Sequence, residues 1–134
     1  MTAQDLAEHD CVNFRYQSTG QSLRWPYQAG DKQLELTPDS AYTVDASEAV
    51  AALLAAGGGI GISPHYVAAP YVHRGELIPV LPQFTVERFA ITALWPESRR
   101  GSPNVKAIIA FLIELFPAVP PWEDEVNRAV AARV

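Results

Sequence analysis

Two places in this chain join hydroxyl side chains to the start of a helix, and each could hold a small anion without a dedicated cation. Asp45 is followed by Ala46-Ser47-Glu48 and then an apolar stripe, and Ser63-Pro64 opens the next helical stretch at His65. The first N–H groups of a helix lack internal acceptors and carry the positive end of its dipole, so such tips accept a carboxylate or phosphate oxygen. The main-chain amides of Ala46-Ser47 and of His65-Tyr66, with the hydroxyls of Ser47 and Ser63 and those of Ser18 and Thr19 nearby, make a candidate cradle. The same residues read equally well as ordinary caps. Asp45, acting as an N-cap, would consume donors of its own helix and set negative charge at the mouth.

Other chemistry finds less support. Gly57-Gly58-Gly59-Ile60-Gly61 suggests a nucleotide loop. The dinucleotide fingerprint, however, runs strand, glycines, helix; here a helix pattern precedes the glycines and a strand pattern follows. Helix termination and close strand packing account for them. His9, His65, His73 and Cys11 have no metal-ligand spacing, so no metal site is expected. His65 stands in the first turn of a helix, where it could donate to a bound anion; the plainer reading is a packed or solvated imidazole. No serine occupies a Gly-x-Ser-x-Gly elbow and no pair of carboxylates is framed by apolar sequence, so no nucleophile, no general base and no cofactor is nominated. Trp25, Trp95 and Trp122 adjoin apolar patterns and are read as core or subdomain contacts.

The elements that would position these residues follow from punctuation. A short helix over Ala3 to Glu8 precedes a strand from Cys11 to Tyr16, and Leu23 to Gln28, Lys32 to Leu36 and Tyr42 to Val44 are strand candidates. Pro26 confines the first of these three to an edge or a bulge. From Val44 to Pro82 the pattern alternates. A helix capped by Asp45 ends at the triple glycine, Ile60 to Ile62 is a short strand, a helix capped by Ser63 ends at Gly75, and Leu77 to Leu81 reads as a strand. Phe89 to Trp95 has the apolar character of a central strand, and Ser102-Pro103 starts a helix carrying Val105, Ile108, Ile109, Leu112, Leu115 and Phe116. A last helix is expected within Trp122 to Val134, acidic at its start and basic toward its end. This is an α/β plan, with a Rossmann-like sheet flanked by helices and two helix tips on one sheet edge.

Composition bounds the function. The chain has 134 residues, 49% hydrophobic and 19% charged, enough for one globular domain with a core. A net charge of -5 and ten scattered Lys and Arg give no basic footprint for nucleic acid. One cysteine forms no internal disulfide, which suits a buried thiol in a reduced compartment. The N-terminus lacks the layout of a signal peptide and no apolar run reaches spanning length, so a cytoplasmic location is expected, without membrane partners.

The segments HDCVNFRY, RWPYQAG, YTVDASEAVAALLAAGGGIGISPHYVAAPYVHRGELIPVLP and ITALWPESRRGSPNVKAIIAFLIELF, in that order, resemble the C-terminal part of the effector-binding domain of LysR-type transcriptional regulators. The resemblance runs from about Asp5 to Phe116. It implies the second lobe of a type II periplasmic-binding-protein-like domain, truncated: residues 1–88 form that lobe, and residues 89–134 carry a return strand and helices that would join the first lobe. It further implies a non-enzymatic sensor of a small organic effector, a carboxylate or an aromatic, held in the interlobe cleft. DNA would be reached only through an absent N-terminal winged helix-turn-helix. Carried over by position, the effector-facing residues are Val44, Asp45, Ala46 and Ser47, then Ser63 and Pro64, with Arg15, Ser18 and Thr19 on the rim. The apolar helix beginning at Pro103 would lack its first-lobe partner, so a homo-oligomer is expected. The alternative is a stand-alone small α/β enzyme or ligand-binding protein.

Overall fold

The computed structural model describes residues 3–82, 92–117 and 119–132. They fall into two compact units, Met1–Val86 with Trp122–Val134, and Glu87–Pro121.

The first unit is built on a three-stranded parallel sheet. Strand β1 (Cys11–Phe14) is central, flanked by β4 (Tyr42–Val44) on one side and β5 (Ile60–Gly61) on the other. The register pairs Phe14 with Val44 and Val12 with Gly61. A separate antiparallel hairpin joins β2 (Trp25–Ala29) to β3 (Lys32–Leu36) through Gly30-Asp31, with Gly30 at φ +61°. Helix α1 (Ser47–Ala55) connects β4 to β5, and α2 (His65–His73) follows β5. Both helices end as their glycines dictate. Gly57, at φ +86°, and Gly58 donate to Leu54 and Leu53; Gly75, at φ +73°, and Glu76 donate to Val72 and Tyr71. This is the paired bonding that a left-handed residue after the last turn allows.

Period-two alternation sorts β1 between two packing layers. Val12 turns to the α1 side, where its side chain adjoins Gly58 and where Val50 and Ala51 of α1 are buried. Cys11 turns the other way, into a cluster with Leu6 and Trp25 bordered by Leu23, Leu36, Ile60 and Leu81. Asn13, two residues on, shares that side and is 1% exposed. Cys11 is a free, buried thiol, pushed above its ordinary pKa by burial and then by the nearby Asp10 charge, so at neutral pH it stays protonated. It packs; it is no thiolate nucleophile.

Several expectations are corrected. The N-terminal helix is a 3₁₀ helix over Ala3–Glu8, and β2 starts two residues later than the pattern suggests. Leu77 to Leu81 is not a strand: its apolar alternation finds no ladder partner among the described residues, and Leu81 sits at φ +54°. The strand expected over Phe89 to Trp95 lies mostly outside the described residues, and Thr92 to Trp95 are irregular. Trp95 is 44% exposed, so among the described residues it is not core.

In the second unit, Ser102 and Pro103 begin α3 (Pro103–Leu115) as their types require. No residue of α3 is buried, and Ile108, Phe111, Ile113 and Leu115 are exposed. No helix among the described residues is long and apolar enough to cross a membrane. Helix α4 (Pro121–Ala131), which from Trp122 onward belongs to the first unit, carries Glu123 and Asp124 in its first turn, Arg128 in its last, and a buried Val126.

Candidate functional site

All three strands of the sheet run the same way, so β4, β1 and β5 finish on one edge. From that edge α1 departs after Val44 and α2 after Gly61. The β5 register is offset from β4 by two residues, which brings Ser63 to about the height of Val44, one on each side of β1. Two strand spacings separate them, about 10 Å. The starts of α1 and α2 thus follow strand ends that share one edge of the sheet, on either side of β1. Crevices at the carboxyl ends of parallel strands are where open α/β sheets hold ligands.

The residues named from sequence are distributed as follows. Val44 is half-buried and its carbonyl accepts from the Arg15 amide at 2.7 Å, which ties the exposed Arg15 to the same edge. Asp45 and Ala46 are exposed and Ser47 half-buried at the first turn of α1. Ser63 and Pro64 are half-buried at the entry to α2. The chain beyond Arg15 turns back through a tight loop, with Tyr16 and Gln21 paired, so Ser18 and Thr19 stand exposed at its tip. Thr19 Oγ1 already accepts from the Gln21 amide at 3.3 Å.

The caps differ from expectation, and the difference matters for charge. Ala46, extended at φ -129° and ψ 133°, is the N-cap of α1, and no side chain caps that helix. Asp45 therefore leaves the first amides of α1 unconsumed. At α2 the N-cap is Pro64, again without a capping side chain, while the Ser63 hydroxyl donates to the Pro64 carbonyl at 3.5 Å. The Pro64 carbonyl accepts from both Val67 and Ala68. That leaves the amides of His65 and Tyr66 as the ones α2 presents outward.

Two features escape a reading of the sequence. Asn13 Oδ1 accepts from the Trp25 indole at 3.0 Å and from the Phe14 amide at 2.9 Å, while its Nδ2 has no partner among the described residues. A polar residue inside an apolar strand run is the available signal. His65 is the other. Its Nδ1 lies 2.8 Å from Glu123 Oε2 of α4, and since a carboxylate only accepts, the imidazole donates. What the sequence does not announce is this partner on α4.

An open depression of about 900 Å³ lies at the opposite edge, lined by residues 6–10, Tyr27 and residues 36–41. Volume and topology disagree here. Neither α1 nor α2 begins at that edge, and it gathers the carboxyl groups of Glu8, Asp10 and Asp39 with the imidazole of His9; at the strand-end edge Asp45, Glu48 and Glu123 stand beside the helix amides.

The profile of the family described as LysR substrate binding domain matches residues 1–117. The chain belongs to that family. Its α/β architecture, a parallel sheet flanked by helices, is that of this LysR domain. Among similar proteins, YagP of Escherichia coli (strain K12), whose name describes a LysR family substrate binding domain-containing protein, is 26% identical over 79% of this chain and 78% of that protein. An HTH-type transcriptional repressor of Pseudomonas aeruginosa (strain UCBPP-PA14) is 26% identical over 72% of this chain and 30% of its own length. A further Pseudomonas aeruginosa protein, from strain PAO1 and named as a transcriptional regulator, is 28% identical over 78% of this chain and 34% of that protein. The chain thus spans about a third of the two Pseudomonas relatives and most of YagP. LysR substrate binding domains belong to transcriptional regulators, and the match supports a regulator fragment.

Proposed function

We propose that this chain is an effector-sensing lobe of a LysR-type regulator that binds a small organic acid, aliphatic or aromatic, without chemical turnover, in the cytoplasm. The observation that carries the reading is the shared edge of the parallel sheet, from which α1 and α2, neither capped by a side chain, both depart on either side of β1. Ser47 and Ser63 supply hydroxyls there, the amides of Ser47, His65 and Tyr66 supply donors, and Arg15, just past the end of β1, supplies a cation on the same edge. Binding shifts the balance between orientations of attached elements only by the difference in affinity for them.

Thermal unfolding in the presence of acetate, succinate, benzoate and phenylacetate tests the proposal. An acid that fits stabilises the fold by mass action, by about 2.7 kcal/mol at a hundredfold excess over Kd, so the midpoint rises, and it is recovered unchanged. Ser47→Glu places a tethered carboxylate at the α1 tip, which favours the helix itself yet repels an anionic ligand. The stabilisation is therefore expected to vanish in Ser47→Glu while the ligand-free midpoint holds. An equal shift in the variant removes the site assignment.

A further inference from the structure

Helix α2 meets the C-terminal helix α4 through two like pairs. His65 Nδ1 donates to Glu123 Oε2 at 2.8 Å, and His73 Nδ1 lies 2.6 Å from Glu125 Oε1. The Trp122 ring adds an edge contact with Tyr66, centroids 6.3 Å apart at 71°. His65 and His73 are eight residues apart, about 12 Å of helix, whereas Glu123 and Glu125 are two apart. Both pairs form only if the first turn of α4 lies across α2 rather than along it.

This seating is specific but lightly anchored. Among the described residues of α4 only Val126 is buried, at 6% exposure, and the ion pairs are partly open to solvent, where such pairs contribute little. Helix α2 is itself interrupted by Pro70, which removes one helical hydrogen bond, and among its described residues it buries Ala69 alone. By contrast, α1 buries Val50 and Ala51 against the sheet. Helix α4 also lies beyond residues 1–117, the part that matches the family. We infer that the outer face of α2 is a docking surface for an acidic helix tipped by an aromatic residue, and that α4 is its tethered occupant, a cover that opens locally without unfolding the sheet.

The consequence for function rests on the proposed effector edge: Trp122 and Glu123 sit against Tyr66 and His65, in the first turn of α2, so an open α4 uncovers the start of α2 on that edge. The docking itself does not depend on any effector.

Hydrogen exchange of the full chain, with no ligand added, tests it on Glu123→Gln/Glu125→Gln and separately on Trp122→Ala. Peptides from α4 and α2 are expected to exchange about tenfold faster in both variants, with β1 and α1 unchanged. Unchanged exchange in α4 and α2 would overturn the inference. So would acceleration of β1 and α1 in step with α4, which would make α4 part of the cooperative core. Failure of the acid titration leaves this result untouched.

Discussion

Gly59→Ala is expected to destabilise the first unit by about 4 kcal/mol, lowering the thermal midpoint by about 10 °C or more. Gly59 has φ +112°, and a Cβ built there would stand 2.0 Å from the Asp10 carbonyl oxygen. That oxygen cannot retreat freely, because it accepts from the Ile60 amide at 2.9 Å and so fastens β5 beside β1. The substitution therefore adds backbone strain and breaks the strand pairing at once. Gly57→Ala is the internal control. Gly57 has φ +86°, and a Cβ added to it would meet nothing within 4 Å, so only the conformational cost applies, about 1 kcal/mol. Equal midpoints for the two variants would show that β5 does not approach Asp10 as closely as the geometry requires.

Trp25→Ala is expected to cost about 3–5 kcal/mol in urea unfolding, with the slope of the transition unchanged. Trp25 is 4% exposed and stands among Leu6, Cys11, Leu23, Leu36, Ile60 and Leu81 on the side of β1 away from α1. Truncation removes the largest body in that cluster and leaves a cavity behind β1. It also takes the indole donor from Asn13, whose Oδ1 keeps only the Phe14 amide. Trp25→Phe separates the two effects: the ring body stays, and the lost hydrogen bond costs about 1–2 kcal/mol. A loss below about 1 kcal/mol for Trp25→Ala would mean that the hairpin does not pack on β1.

Much of the first unit is legible in sequence because its signals are local. The apolar stripe Val50, Leu53, Leu54, the glycines that close α1 and α2, and the Gly30-Asp31 turn each act within a few residues of themselves. Both caps lie one residue later than side-chain type suggests, for a physical reason. Asp45 and Ser63 are good capping types, but a cap is set by φ and ψ, and the extended residues before α1 and α2 are Ala46 and Pro64. Leu77 to Leu81 shows the converse error, since alternation states which faces are apolar and not whether a neighbouring strand exists.

What pairs across long separations is not legible. The order β4-β1-β5 puts the first strand between two later ones, and nothing in Cys11–Phe14 announces which strands it will accept. The His65–Glu123 pair joins residues 58 apart, so the tail helix can be read as acidic at its start but not as seated on α2. The candidate site shares this division. Its two helix starts are readable one at a time, whereas their common edge and the height of Ser63 opposite Val44 come from the ladder register alone.

Amide chemical-shift mapping during titration with the acid that gives the largest thermal shift addresses that common edge most directly. The largest perturbations are expected at the amides of residues 44–47 and of Ser63, His65 and Tyr66, one group at each tip, with the amides of residues 6–10 and those flanking Pro38 from 36 to 41 nearly still. Perturbations concentrated instead around residues 6–10 and 36–41, which line the depression at the opposite edge, would contradict the account.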